Sequence, residues 1–302
     1  MNTSEYSFVQ KYYKNRTVAE EIYYFSRRRW LAVHCSESDP KGRPIIIRYL
    51  WGKPLTLRDS SDLHRIFHAL NAFKPRTVYV SVNLYRRIRF REDVLDYLNN
   101  VYLRTPSWDI DSELNWWRHT LEVARAIVDV LEKHGVVKSV YLIWSGRGVH
   151  VHIHERAISS SVLKKYHPID VTYSIVEYVI GRVKSFLNEL NINKGTRIKV
   201  ENLMDPQRVF TAPLSLHKKL NVSCIAFKPE EIDSFDLSWI NPENFKHNLK
   251  WRLYEVGEAD ELALKAFQTI GPYPKPYGSG RRRRHKPLDE AIRKYLPKDD
   301  ML

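Results

Sequence analysis

Cysteine is nearly missing from this chain. Only Cys35 and Cys224 occur among its 302 residues. They are too few and too far apart for a disulfide framework or for a structural zinc site, which needs closely spaced cysteine and histidine ligands. We therefore expect no structural zinc and a fold held by its own hydrophobic core, because 43% of the residues are hydrophobic.

Long apolar runs are missing as well. No stretch of about 18 consecutive apolar residues occurs, so the sequence predicts no transmembrane helix. Residues 1–6, Met-Asn-Thr-Ser-Glu-Tyr, lack the apolar centre of a signal peptide. The expectation is an intracellular protein, cytoplasmic or nucleoid-associated and not secreted, that has no membrane partner.

Acidic residues are the third deficit. Aspartate and glutamate total 35 against 49 lysines and arginines, which gives a net charge of +14 and a sequence pI near 9.6. Such an excess is the electrostatic footprint of a nucleic-acid-binding protein. A basic membrane-surface or ribosome-associated protein would have a similar charge, so composition alone leaves the partner open.

The hydrophobic pattern predicts a mixed α/β order within one core, residues 1–270. Helices are predicted over 5–28, 61–70, 114–134 and most of 159–190, and strands over 30–34, 44–50, 77–84, 140–154 (a hairpin), 197–201, 209–212 and 222–227. Residues 159–190 and 229–268 are candidates for a helical subdomain. Residues 271–302 combine a linker rich in proline and glycine with four consecutive arginines, which predicts a flexible basic tail. This tail is either a solvated segment or an arm that contacts nucleic-acid phosphates.

Two carboxylates stand one residue apart at Asp109 and Asp111. In a strand, alternate side chains share a face, so both point the same way with Ile110 behind them. Like charges held this close repel each other unless a cation lies between them, and hard divalent cations prefer oxygen ligands. The pair is a candidate site for Mg²⁺ or Mn²⁺.

A glycine-flanked turn follows about thirty residues later. Ser145, Arg147 and His150 lie in Ser-Gly-Arg-Gly-Val-His, between two apolar runs that read as a hairpin. A hydroxyl, a guanidinium and an imidazole are suited to phosphate oxygens. An acid pair for cations followed by such a turn is the layout of a nucleotidyl-transfer site. His152 and His154 we assign to the strand rather than to chemistry.

These motifs resemble those of the archaeo-eukaryotic primase superfamily, and within it the small catalytic subunit of archaeal and eukaryotic DNA primases. The matching segments are Asp109-Ile-Asp111, Ser145-Gly-Arg-Gly-Val-His150, Ala212-Pro-Leu-Ser-Leu-His-Lys218, and the strands at 45–49 and 75–81. The resemblance runs, with gaps, from about residue 8 to about residue 235. It implies a primase-polymerase type core of the α/β (α+β) class, in which helices flank a central, mostly antiparallel sheet that exposes the acids on one face.

The resemblance also implies a third metal-binding acid, for which the sequence is ambiguous. Counted back without gaps from His217, the family's acid falls on Lys199. Glu201, two residues further, shares the same strand face, so we place the third acid there. Asp205 is the alternative, although it precedes Pro206 and fits a turn.

Further roles follow from the resemblance alone. Ser145, Arg147 and His150 would bind the β- and γ-phosphates of a nucleotide. His217 with Lys218 would be a second phosphate contact, and Arg48 would lie close to the incoming nucleotide. Thr211 stands where the family usually has a basic residue, and Arg208 is our candidate for that charge.

The function implied is a template-directed nucleotidyltransferase, a DNA primase or primase-polymerase that uses Mg²⁺ or Mn²⁺. Its partners would be a single-stranded DNA template, a primer, and NTP or dNTP; whether a large regulatory subunit joins them stays open. Two alternatives are a non-catalytic nucleic-acid-binding subunit with this fold and a repair polymerase that needs a pre-existing primer. The sequence distinguishes neither priming from extension nor ribonucleotides from deoxyribonucleotides.

Overall fold

The computed structural model describes residues 3–202 and 205–275 of the chain. These residues divide into two compact units: residues 3–102 and 209–223 form unit one, and residues 103–202, 205–208 and 224–275 form unit two. Within residues 3–275 the chain therefore passes from one unit to the other three times. Of the flexible linker and basic tail predicted over 271–302, all residues after 275 lie outside the described residues.

The described residues contain eight α-helices and thirteen strands. The helices are α1 Thr3–Tyr13, α2 Arg16–Ser26, α3 Ser61–Ala69, α4 Tyr97–Asn100, α5 Trp117–Lys133, α6 Ser160–Leu163, α7 Pro168–Lys194 and α8 Asp260–Ile270. The strands are β1 Leu31–Ser38, β2 Pro44–Ile47, β3 Tyr49–Leu50, β4 Lys53–Pro54, β5 Pro75–Ser81, β6 Asn83–Tyr85, β7 Val101–Arg104, β8 Ser107–Asp111, β9 Val140–Trp144, β10 Val149–Ile153, β11 Lys199–Glu201, β12 Val209–Thr211 and β13 Ile225–Phe227. None of the helices in the described part of the chain is long and apolar enough to span a bilayer.

Unit one is built on a four-stranded antiparallel sheet with the order β12-β5-β1-β2. Val33 of β1 lies opposite Val78 of β5 and Ile47 of β2, and all three are fully buried. Because opposite residues share a sheet face, this row is part of the core of the unit. Tyr13 of α1 adds a buried hydrogen bond to the backbone carbonyl of Arg76.

Residues 5–28, predicted to be helical, form two helices, α1 and α2, with a break between them. The side chain of Asn15 accepts a hydrogen bond from the backbone N–H of Thr17 at 2.9 Å and caps the start of α2. The first backbone N–H groups of a helix have no carbonyl partner within that helix, and an asparagine side chain just before them can accept their hydrogen bonds. Asn15 therefore marks the start of a new helix. The hydrophobic period carries on across the break, which is why periodicity alone missed it.

Unit two is built on a five-stranded antiparallel sheet with the order β11-β8-β10-β9-β13. The hairpin predicted at 140–154 is present as β9 and β10, paired from Trp144 with Val149 to Val140 with Ile153. The long predicted helices are present as α5 and α7, and α7 ends at Gly195 with a left-handed φ of 63°. The segments 159–190 and 229–268, predicted as helical parts of the core, both lie in unit two. The predicted α/β class with antiparallel sheets and flanking helices is confirmed.

Candidate active site on the sheet of unit two

Strand β8 has one apolar and one acidic face. Trp108 and Ile110 are fully buried, and the indole N–H of Trp108 donates to the carbonyl of Val176 in α7 at 3.1 Å. Alternation along the strand then directs Asp109 and Asp111 to the opposite face of the sheet. Burial of the apolar residues thus fixes the direction of both carboxylates.

Strand β11 brings a third carboxylate to this acidic face. Antiparallel pairing sets Glu201 opposite Asp109 and Lys199 opposite Asp111. Directly opposite residues lie on one face with Cβ atoms about 5 Å apart. Asp109, Asp111 and Glu201 are therefore neighbours on a single face, with the ammonium of Lys199 at its edge.

The carboxylate of Asp109 contacts two side chains, those of Arg208 and His150. Asp109 is only 8% exposed. The guanidinium of Arg208 forms an ion pair with one carboxylate oxygen, and Nε2 of His150, directly opposite on β10, lies 3.2 Å from the other. Burial works to raise the pKa of Asp109, but His150 and Arg208 outweigh it and hold the pKa below its ordinary value.

The environment of Asp111 works in the other direction. Burial, followed by repulsion from Asp109 and Glu201, raises the pKa of the Asp111 carboxyl. Its carboxylate form is the one that a bound cation would stabilise. Carboxylate oxygens on adjacent strands are the donor set that Mg²⁺ and Mn²⁺ prefer, so Asp109, Asp111 and Glu201 fit such an ion chemically.

The three carboxylates do not form a ready-made metal cluster. Among residues 3–202 and 205–275, no group of three or more His, Cys, Asp or Glu side chains is arranged to hold a metal ion. Both oxygens of Asp109 instead have Arg208 and His150 as partners. A cation bound by Asp109 would therefore share its oxygens with these partners or displace the Arg208 guanidinium.

The turn between β9 and β10 depends on two glycines. Gly146 has a φ of 121°, which a residue with a side chain rarely adopts. A Cβ built on Gly148 would stand 2.2 Å from the carbonyl oxygen of Ile110 on β8. Glycine at 148 thus allows the turn to approach the strand that carries both aspartates.

The predicted phosphate-binding residues of this turn differ in their surroundings. The hydroxyl of Ser145 donates to the carbonyl of Gly148 at 3.3 Å, and Arg147 is exposed at the tip of the turn. His150, predicted with them, lies on β10 and faces Asp109. Its observed contact is with Asp109, and the phosphate roles of Ser145, Arg147 and His150 stay predictions.

Asp205, the alternative third acid, belongs to a turn. Its side chain accepts a hydrogen bond from the backbone N–H of Gln207 at 2.8 Å, and its carbonyl accepts from the backbone N–H of Arg208 at 2.9 Å. The residues of β11 that pair with β8 are Lys199, Val200 and Glu201, so Glu201 lies in the ladder and Asp205 lies beyond it. The geometry of the described residues favours Glu201.

The remaining predicted residues, Arg48, His217 and Lys218, belong to unit one. Nδ1 of His217 accepts backbone N–H groups from Leu220 at 2.9 Å and Lys219 at 3.3 Å, which closes a tight turn. The buried guanidinium of Arg76 donates to the carbonyl of His217 at 2.9 Å. Arg48 stacks on Trp30, with its Cζ atom 5.0 Å from the ring centroid.

His34 is a residue of this region that the sequence patterns missed. It lies on β1 opposite Thr77, and burial, followed by the charges of Lys218, Arg76 and Lys219, lowers its pKa. A histidine among cations is thereby kept neutral. The only sequence signal was one polar residue in an apolar strand, which is too common to single out a site.

Comparison with known proteins adds one finding on the fold. No protein-family model and no curated protein matches the sequence. Among the solved structures that match is the polymerase domain of ligase D from Mycobacterium tuberculosis in complex with DNA, with 15% identity and a TM-score of 0.51 over 91% of this chain and 92% of that one. At this identity the likeness concerns the fold alone: the chain shares the fold of that polymerase domain. The closer resemblance to the small primase subunit stays a prediction.

Proposed function

We propose that this chain is a template-directed nucleotidyltransferase that starts or extends a strand on single-stranded DNA, as a DNA primase or primase-polymerase. The observation that carries the proposal is the set of three carboxylates, Asp109, Asp111 and Glu201, on one sheet face of a polymerase-domain fold. The net charge of +14 adds support, since a DNA template is a polyanion.

In this proposal, Asp109 and Asp111 bind a divalent cation through their carboxylate oxygens, and Glu201 is the third ligand. A bound Mg²⁺ or Mn²⁺ ion supplies Lewis-acid activation of the α-phosphate and of the attacking 3′-hydroxyl, and neutralises charge on the pyrophosphate leaving group. His150 orients Asp109 through its 3.2 Å contact. Arg208, paired with Asp109 in this structure, would be available to a phosphate oxygen if a cation took its place.

Ser145 and Arg147 would bind the triphosphate from the turn next to β8. A guanidinium at the tip of a turn can approach two phosphate oxygens at once. Arg48, His217 and Lys218 of unit one are assigned to the incoming nucleotide by the family resemblance alone. A large regulatory subunit as partner is likewise a matter of resemblance.

The experiment is incorporation of labelled NTP and dNTP on single-stranded DNA, with and without an annealed primer, in Mg²⁺ and in Mn²⁺. We expect metal-dependent incorporation that Asp109→Asn or Asp111→Asn lowers at least a hundredfold. Asp129→Asn, which changes an exposed acid on α5, is the matched control and should keep full activity. Residual activity above a few per cent in both acid-pair variants would mean that Asp109 and Asp111 are not the catalytic site. Product formed without a primer identifies priming; product formed only with one identifies extension.

The third acid has its own test. Glu201→Gln should reduce incorporation as much as loss of one acid-pair member and should raise the metal concentration needed for half-maximal activity. Asp205→Asn should leave both quantities unchanged, because its side chain caps a turn. The reverse pattern would transfer the ligand role to Asp205.

A second candidate function rests on the ion pair between Arg208 and Asp109. If that pair persists with nucleotide and metal present, the chain is a nucleic-acid-binding subunit with this fold and no catalysis of its own. Isothermal titration of the wild-type protein with Mn²⁺ separates the two candidates. The catalytic candidate requires heat of binding that Asp109→Asn abolishes, and the binding subunit gives no heat in either protein.

A further inference from the structure

A basic segment with an exposed aromatic residue lies in unit one, outside the segments of the sequence that carry the family motifs. Residues 86–91 read Arg-Arg-Ile-Arg-Phe-Arg, and we call them the arginine loop. Arg86, Arg87 and Arg89 are exposed, and Phe90 is 59% exposed. A single exposed apolar side chain is ordinary, but one between two arginines is the combination that binds single-stranded nucleic acid.

The backbone of the arginine loop is fixed by two buried polar residues. The carboxylate of Asp93 accepts the backbone N–H groups of Arg89 at 2.8 Å and Phe90 at 2.9 Å, and also Nε of Arg87 at 2.8 Å. Burial of Asp93 works to raise its pKa, but these hydrogen bonds hold the pKa below its ordinary value. The carboxylate is therefore committed to shaping this loop.

Asn100 fixes the other end of the loop. Its side chain accepts the backbone N–H of Arg87 at 3.0 Å and donates to the carbonyls of Arg87 at 2.7 Å and Asp93 at 2.6 Å. The backbone N–H of Arg86 donates to the carbonyl of Asn100 at 2.8 Å. A loop held in this way presents Phe90 in one position before any ligand arrives, so little ordering entropy remains to be lost on binding.

The end of α2 extends the cationic surface. Nη1 of Arg28 donates to the carbonyl of Arg86 at 2.9 Å, and the backbone N–H of Tyr85 donates to the carbonyl of Arg28 at 2.9 Å. Arg27 and Arg28 are both exposed. The guanidinium of Arg28 therefore lies beside the arginine loop, and Arg27 precedes it in the chain.

Arginine also alternates with aromatic rings across this surface. The Cζ atom of Arg86 lies 5.7 Å from the ring centroid of Tyr102, and that of Arg27 lies 5.7 Å from the ring centroid of Tyr24. Stacked guanidiniums keep their N–H edges directed outwards for phosphate oxygens.

We propose that the arginine loop, with Arg27 and Arg28, binds a single strand of nucleic acid by stacking a base on Phe90 and pairing phosphates with the neighbouring guanidiniums. The binding is independent of base sequence, because every base has a face that can stack. The inference extends the proposed function, since a template strand is what that function requires. It rests on a different unit and different residues from the carboxylate site.

The test is fluorescence anisotropy of a labelled oligo-dT strand, without nucleotide or metal, over a range of salt concentrations. Phe90→Ala should weaken binding roughly 5- to 100-fold, the loss expected for one stacked base. It should leave the salt dependence unchanged, because no charge is removed. Binding to a duplex of the same length, whose bases are already stacked, should change little.

Arg86→Gln combined with Arg89→Gln should give the complementary result. Loss of two phosphate contacts should lower the slope of log affinity against log salt by about 1.4, at roughly 0.7 per contact for single strands. Arg16→Gln with Lys41→Gln removes the same charge from exposed positions elsewhere in unit one and should leave the slope nearly unchanged. Circular dichroism confirms that each variant is folded.

Several results would overturn the inference. Wild-type affinity in both loop variants, or an equal loss in the Arg16 and Lys41 control, would mean that net charge alone binds DNA. Vesicles of phosphatidylserine and phosphatidylcholine provide a further arm. If the loop variants lose vesicle binding and keep oligo-dT binding, the surface is a membrane contact. Because no catalysis is measured, the inference can fail while the nucleotidyltransferase proposal stands, and the reverse.

Discussion

Gly148→Ala is the substitution for which the structure gives the sharpest expectation. The added methyl carbon would stand 2.2 Å from the carbonyl oxygen of Ile110 and 3.3 Å from its carbonyl carbon. Carbon–oxygen contacts between neighbouring strands are normally about 3.3–3.6 Å. The two strands must therefore separate by about 1 Å at this point, and neither atom belongs to a flexible side chain that could turn away.

The expected cost follows from where the clash occurs. Strand β8 lies between β11 and β10, so it cannot shift without disturbing a second ladder. Overpacking of this kind costs about 1–3 kcal/mol, against a total of about 5–15 kcal/mol for a typical folded domain. We expect Gly148→Ala to lower the free energy of unfolding by about 2 kcal/mol. It should also impair the site, because the same separation lengthens the 3.2 Å contact of Asp109 with His150.

Gly181→Ala is the matched control because it adds the same methyl group elsewhere in unit two. Gly181 lies within α7, and a Cβ built there meets no atom within 4 Å. Alanine is favoured over glycine in a helix interior by about 0.8–1.0 kcal/mol. One chemical change should thus destabilise at position 148 and stabilise at position 181.

Urea unfolding followed by far-UV circular dichroism measures both effects, with metal titration of each variant as a second readout. The reasoning is refuted if Gly148→Ala is as stable as the wild type. It is also refuted if the two alanine variants change stability in the same direction, since the steric and helical effects would then not explain the difference.

Three further predictions concern charged groups. The Arg208→Gln variant should bind Mn²⁺ about tenfold more tightly in a calorimetric titration, because the substitution removes a cation that competes for Asp109. An unchanged affinity would show that the ion pair does not oppose metal binding. Burial works to raise the pKa of Glu258, but hydrogen bonds from the Ser139 side chain and from three backbone N–H groups hold that pKa below its ordinary value. The stabilisation is therefore present above the unfolded pKa and is lost as pH falls through the lower, folded pKa. In the Glu258→Gln variant, the urea midpoint should fall less steeply between about pH 6 and pH 3 than in the wild type. The same pH dependence in both proteins would contradict the stabilising role of the Glu258 carboxylate. Arg76→Lys should lower the free energy of unfolding by roughly 2 kcal/mol in the same assay. An ammonium cannot replace the guanidinium, which donates to the carbonyls of both His217 and Leu220. An unchanged stability would mean that these two hydrogen bonds are dispensable.

The strand that carries the acid pair was predictable because its information is local. Alternation in Ser107–Asp111 separates Trp108 and Ile110 from the two aspartates, and the structure has the same separation. The hairpin of β9 and β10 was equally local, with a glycine turn between two apolar runs. Each of these features is decided within about fifteen residues, which is the range over which hydrophobic patterns act.

Contacts between distant segments were not predictable in the same way. Arg208 reaches Asp109 across 99 positions in the sequence, and nothing in either segment specifies its partner. Arginine is abundant in this chain, so the sequence does not indicate which arginine binds which acid. The motifs pointed to Arg208 as a source of positive charge but not to Asp109 as its partner. The arginine loop was not predictable for a related reason. In a chain with a net charge of +14, four arginines in six residues are typical of solvated surface. Only the hydrogen bonds of Asp93 and Asn100 show that the loop has a fixed conformation.

The order of the segments in unit one has a consequence for how the chain is made. Its sheet needs β12, which pairs with β5 through Val209 and Ser81. At about 5–20 residues per second, a ribosome takes roughly 6 to 26 s to travel from the end of β5 to the start of β12. Until then β5 has an open edge, and no fragment that stops at residue 102 contains the complete unit. During synthesis this edge is exposed to other strands, so the nascent chain is vulnerable to misassembly in an interval that ends only when residue 211 has left the ribosome.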